Sequence, residues 1–414
     1  MLKNTLIGYL LLIWVALISG CQSGTKKDNT TTQDTSTTTD TTGTSTQTAT
    51  KPDLKPVDRQ FNDLARLLAG LPAEEGSQLA KHHENEAWKK YQQVADKIWE
   101  KILKEKRPTM MEWQKKYLQA PNAEAGLLFY PFSGPDFLHA STFFPKLTKI
   151  VMMGLEPIGN LPDMENISVH SPEVYYKGLE RALYAVLKYS FFITKSMDVD
   201  FNGRIDKRID GTLPAIMIFM ARTGHRILNY EKVKINQDGT LAPVDANLET
   251  VHNKSVYYGT KLSFHKEGDN TPKTLYFFGV NLSNSPYRGL GGLAQRNDLK
   301  QYIQSLKPQA TYLKSASYLM YGAGFSTIRN LILNQSKFVL QDDSGMAFKN
   351  FTQDNHWNIT LFGRYAGPIK LFRHHYQQDL NQAYKKGYPV KELPFGIGYQ
   401  YLKGNSNLML AQKK

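Results

Sequence analysis

GLLFYPFSGPDFLHASTFFPKLTKIVMMGLE, residues 126–156, sets the reading of the fold. Gly126–Phe132 is an apolar, aromatic-rich run of strand length, and Leu147–Leu155 is a second. A short helix fits between them. In the turn, Ser133 stands three residues before Asp136, the spacing of a helix cap with its reciprocal partner, while Phe132 and Phe137 flank it as a hydrophobic staple would. The same residues have a chemical reading. Polar groups just past a strand are where α/β proteins gather ligands. Asp136 and His139, three apart on one helical face, are spaced as a carboxylate–imidazole pair. Ser133 lacks the Gly-x-Ser-x-Gly elbow of a nucleophilic serine.

Outward from this segment the alternation continues. Strands are expected at Ser255–Phe264, Lys273–Leu282, Lys337–Gln341 and Trp357–Tyr365. Helices are expected near Ser171–Val186, Leu213–Ala221, Asp298–Ser305, Ser326–Asn334 and Gln377–Lys385. Such a chain predicts an α/β (or α+β) body with a mixed sheet covered by helices, the close pair at 255–282 making part of it antiparallel. That body is placed at 121–414, with a candidate division near 236–254. Before it, 52–120 reads as helical. Trp88, Tyr91, Ala95, Ile98 and Ile102 recur at spacings of three and four, and Arg107-Pro108 is the expected stop.

The chain opens with an apolar run, Leu6–Ile18, preceded by Lys3 and followed by Ser19-Gly20-Cys21. It is shorter than the roughly 20 residues that span a bilayer, so 1–20 reads as a cleaved signal peptide. Ile18-Ser19-Gly20-Cys21 resembles the lipobox of bacterial lipoproteins. The resemblance covers only these residues, and it implies lipidation of Cys21, palmitate included, with anchoring to a membrane. Gln22 lacks the aspartate that the family associates with inner-membrane retention, which points to the outer membrane of a Gram-negative cell. Cys21 is the only cysteine of 414 residues, so neither an intrachain disulfide nor a thiolate metal cluster can form. Residues 21–51 follow as a tether: 13 of the 23 residues from Asp28 to Thr50 are Thr, too polar to offset the entropy of ordering.

The net charge of +14 is uneven, with nine Lys/Arg against two acids in 364–414. On an exported body the anionic partners at hand are envelope polymers and lipid headgroups, a diffuse basic surface kept for solubility being the reading the charge itself favours, and no nucleic acid is expected. Glu156 ends the second strand 22 residues past Gly134, but this falls short of the dinucleotide fingerprint by two glycines, so no nucleotide cofactor is expected. Asp198, Asp200, Asn202 and Asp206 stand at positions one, three, five and nine of a loop with Gly203 at six. This resembles the calcium loop of EF-hands and dockerin-type modules, which implies a calcium site, the alternative being an acidic surface turn. Ile209 departs from the pattern at position twelve, although Asp210 follows. Asp342-Asp343-Ser344-Gly345 trails a strand, either as a helix cap or as carboxylates at the mouth of the sheet. His82-His83 and His374-His375 are adjacent pairs whose side chains diverge, a poor chelating arrangement.

The sequence therefore predicts an exported, lipid-anchored envelope protein, its body in the periplasm or on the cell surface. Its role is expected to be binding or envelope maintenance, with a hydrolase of an envelope polymer as the alternative. Asp136, His139, Glu156 and Asp342 are the candidate chemical groups, and the acids among them are expected to open toward one shared pocket.

Overall fold

The computed structural model describes residues 59–170, 172–192, 209–245, 248 and 256–414. Its strands are β1 (Leu127–Pro131), β2 (Lys149–Gly154), β3 (His225–Ile235), β4 (Leu241–Val244), β5 (Tyr258–Lys266), β6 (Asp269–Gly279), β7 (Ala310–Leu313), β8 (Phe338–Gln341), β9 (Trp357–Gly363), β10 (Val390–Lys391) and β11 (Asn407–Lys413). All belong to one mixed sheet in the order β10-β9-β11-β8-β7-β1-β2-β6-β5-β3-β4. The five central strands, β8-β7-β1-β2-β6, are parallel. Antiparallel pairing begins on either side, where β11 sits between β8 and β9 and where β5 meets β6 and β3. The sheet runs without a break across 236–254, because β3 pairs with β5 from the two sides of that interval.

Central strands covered on both faces read as continuous apolar runs, and LLFYP and ATYL are buried at every position. Alternate residues feed two cores. Leu128, Tyr130, Met152, Tyr312 and Leu340 face α1 (Arg59–Leu68), α2 (Glu86–Lys101), α3 (Arg107–Tyr117), α4 (Phe137–Phe143), α6 (Pro172–Tyr189) and α7 (Leu213–Arg222), with the short α5 (Met164–His170) beside α6. Phe129, Met153, Leu313 and Val339 face α8 (Asn297–Leu306), α9 (Ser326–Gln335), the single turn α10 (Lys349–Thr352) and α11 (Gln378–Lys385).

α2 starts on Asn85, whose side chain accepts from the Ala87 and Trp88 N–H groups, and buries Trp88, Tyr91, Ala95 and Trp99. The expected stop at Arg107-Pro108 does not occur. Ile102–Lys106 widens into a π-turn, the Arg107 N–H bonds back five residues to the Ile102 carbonyl, and α3 carries on with Pro108 in its first turn. Proline has no N–H to contribute, and the wider turn moves the ladder past it. Every residue of α7 from Leu213 to Met220 is buried, each large side chain contributing about 1.5–3 kcal/mol. Two glycines lock the start of α7 to the segment after β2: Gly159 (φ +76°) and Gly211 (φ +72°) lie face to face, too close for any Cβ. Two backbone bonds hold the contact, Thr212 N–H to Pro157 and Leu213 N–H to Ile158.

Candidate functional site

The chain reverses its course at β1. β2 and β6 are added on one side, and β7 and β8 then return to the other, so the carboxyl ends of β1 and β7 part at a topological switch point. The sequence delivers Asp136 past β1, Glu156 past β2, Lys314 past β7 and Asp342 past β8. All four therefore lie along one edge, in the spatial order Glu156, Asp136, Lys314, Asp342.

Asp136, not Ser133, is the cap of α4, accepting from the His139 N–H. Ser133 lies too far back. Its N–H bonds to Met153 of β2, and its hydroxyl turns to the Gly134 and Met153 carbonyls. The cap is only part of what Asp136 does. Its Oδ2 accepts from the Tyr130 hydroxyl at 2.8 Å and from the Lys314 ammonium at 2.5 Å. His139 Nδ1 lies 2.8 Å from Oδ1. Nδ1 also lies 3.1 Å from Lys314, but one ring nitrogen cannot donate and accept at once. With the acid ionised, Nδ1–H donating to it is the consistent tautomer. Lys314 completes its shell by donating to the Ser190 carbonyl at the end of α6.

Burial alone would raise the Asp136 pKa, but the charges of His139 and Lys314 and their hydrogen bonds hold it far below the usual carboxylate range. The same burial lowers Lys314 and His139. The geometry favours the ionised pair, since everything aimed at Asp136 is a donor.

Next along the edge, Asp342 accepts from the Ser344 N–H and hydroxyl on Oδ1 and from the Ser315 N–H on Oδ2. No helix starts there, so Asp342-Asp343 marks the mouth of the sheet and is not a cap. Gly398 (φ +64°) packs so tightly on the Asp342 carboxylate that a Cβ would collide with it. Asp343 accepts from the Tyr318 hydroxyl at 2.6 Å and from Asn407 Nδ2 at 2.9 Å, and its own N–H returns to Asn407 Oδ1. Burial, followed by the adjacent Asp342 charge, pushes Asp343 up to about 7. A cavity of about 10 Å³ beneath the pair, bounded by Gln341, Gln377 and Asn407, has room for one water. Glu156 folds back against Gly154, where no Cβ would fit, and Gly134 of the β1 turn packs on the same glycine.

The carboxylates share an edge but do not open into a common pocket. Asp136 is 0%, Glu156 6% and Asp342 4% exposed. The fold's own donors surround Asp136 and Asp342, which explains why these two lie beneath the surface. Asp198, Asp200, Asn202 and Asp206 lie outside the described residues. Ile209, at the twelfth position of that loop, is buried against Gly178, and the Asp210 carboxylate accepts from Asn160 at 2.5 Å. Position twelve therefore holds an isoleucine because it is a core position. Among the described residues no group of three His, Cys, Asp or Glu side chains is placed to hold a metal.

Lys314, Tyr318 and Asn407 complete the edge without a local sequence pattern to mark them. ATYL is too short a run to show a period, and a lysine directly after four buried residues was the available signal. The switch point is also where backbone strain collects. Of eight described non-glycine residues with positive φ, five lie here: Phe132 past β1, Ser190 at the lysine's carbonyl partner, and Ser315, Ser317 and Tyr318 past β7. The Tyr399 hydroxyl holds this last turn by donating to the Ser315 carbonyl while pairing with Ser317 Oγ.

Compared with protein-family models, curated proteins and solved structures, the chain matches none.

Proposed function

We propose that this is a lipid-anchored envelope protein whose α/β body binds an envelope ligand over the carboxyl edge of its sheet. The observation that carries this reading is the concentration of left-handed non-glycine backbone at the switch point. Each such residue costs about 1–3 kcal/mol, and backbone strain of this kind clusters at ligand sites. The hydrolase alternative would draw its acids from Asp136, Glu156 and Asp342. Binding is favoured over it because Asp136 and Asp342 already spend their oxygens on Lys314, Tyr130, Ser315 and Ser344. They form a rigid floor. Calcium at Asp198, Asp200, Asn202 and Asp206 belongs to the same reading, since Gly211, just past that loop, is clamped to the segment after Glu156.

The test is thermal unfolding of the full-length protein in detergent with soluble peptidoglycan and lipopolysaccharide fragments. A ligand at 100 times its Kd stabilises by about 2.7 kcal/mol. The expected result is a raised melting temperature with the fragments recovered intact, and a shift lost in Tyr399→Phe, which frees the strained turn. An unmoved melt removes the binding reading. Fragments cut by the parent protein but not by Asp136→Asn would establish the hydrolase instead.

A further inference from the structure

Above the buried floor, three segments bring their aromatic rings together: 188–192 at the end of α6, 369–376 after β9, and 399–404 before β11. The rings form a continuous row. Tyr189 meets Tyr401 at 4.9 Å, Tyr401 meets Phe191 at 6.5 Å, and Phe191 meets Tyr399 at 5.0 Å. Tyr399 then meets Phe372 at 5.2 Å, and Phe372 meets Tyr318 at 5.0 Å. Tyr318 is buried and joins the row to Asp343, while the other five are half-buried and keep surface toward solvent. Core aromatics do not need that surface, and neighbouring rings that each keep part of a face toward solvent are suited to packing against a ligand.

The charge of these segments is one-sided. They carry Lys188, Lys370, Arg373 and Lys403, all exposed, and no Asp or Glu. Lys188 already lies 5.1 Å from the Tyr189 ring centre. Tyr189, Phe191 and Tyr401 lie within 6.5 Å of one another, and Tyr399, Phe372 and Tyr318 lead on from them, so the half-buried rings offer surface to several sugar units of one chain. Its rings are tilted to one another by 43–68° and offer no parallel slot for a flat base. Sugar rings present thick C–H faces that pack on aromatic surface at varied tilts, and carboxylates along a glycan would pair with the flanking cations.

We infer that the aromatic row over the carboxyl edge is the binding track for an acidic glycan, uronic or otherwise carboxylated. This rests on the envelope-binding reading above and specifies its ligand. The probes are a hyaluronan hexasaccharide, neutral chitohexaose and polyuridylate, titrated calorimetrically into the full-length protein in detergent. The hyaluronan fragment is expected to bind, to weaken about tenfold between low and high salt, and to weaken at least tenfold in Phe372→Ala and in Tyr401→Ala. Val94→Ala, at an exposed position on α2, should leave binding unchanged. Equal affinity for chitohexaose overturns the acidic specificity, and preferential binding of polyuridylate overturns the glycan. If peptidoglycan or lipopolysaccharide fragments raise the melting temperature while hyaluronan fails to bind, this inference falls and the envelope-binding reading stands. If neither acts, both fall.

Discussion

Lys314 brings a charge into a place where desolvation is expensive, and the fold answers with the Asp136 carboxylate and the Ser190 carbonyl. Removing one partner of such a pair strands the other, at a cost of about 3–5 kcal/mol. Lys314→Met should therefore destabilise by that amount in denaturant melts, while Asp136→Asn combined with Lys314→Met should recover part of the loss. A single-variant cost under about 1 kcal/mol would refute the buried pair. The pH dependence has a definite sign. Because the Asp136 pKa falls on folding, its contribution is fully present above the unfolded value near 4 and is lost as pH drops through the folded value. The double variant should lose that acid sensitivity. At this scale the sequence was half legible. Asp136 and His139 could be paired from their spacing of three, because a helix fixes it. Their third partner comes from 178 residues away, and no local pattern reports that distance.

At the scale of elements, amphipathic stripes were the most legible signal. α6 buries Tyr175, Leu179, Leu183 and Val186, the face its spacing predicts. β11 and β3 were missed because NLMLAQK and HRILNYEKVKI mix polar and apolar residues without a clean alternation, each strand sending side chains to both cores: Leu408 and Ile227 to one, Met409 and Val233 to the other. The π-turn at Ile102–Lys106 was also invisible: a proline reads as a stop unless the ladder shifts by one residue ahead of it. The calcium-like loop gives the prediction at this scale. Calorimetry on the full-length protein should show calcium binding that Asp200→Ala abolishes, toward the weak end of the nanomolar-to-millimolar range, since Ile209 is committed to the core. No heat at millimolar calcium would remove the site.

For the whole molecule, the mixed sheet covered by helices followed from alternation alone, whereas its strand order did not. Where β7 and β11 insert is decided by contacts remote in sequence. No helix among the described residues is long and apolar enough to cross a membrane. The lipoprotein reading, which rests on Cys21, is tested separately. Metabolic labelling with a radioactive fatty acid should mark the parent protein and leave Cys21→Ser unlabelled. Equal labelling of the two would end the lipoprotein reading. A single acyl chain holds a protein to a membrane only marginally, so stable fractionation with membranes is expected only with several chains attached.

The position of β11 between β8 and β9 has a consequence for the order of assembly. A chain that emerges amino end first into the compartment where it folds delivers β8 and β9 before residues 407–413, and until those arrive the two strands have no partner on their facing sides. Unfilled strand edges are templates for pairing with the wrong chain. The emerging protein thus passes through an interval in which the eight strands from β8 to β4 can already be assembled while β9 and β10 wait apart. Holding factors that shield extended, apolar chain would have their greatest effect during that interval.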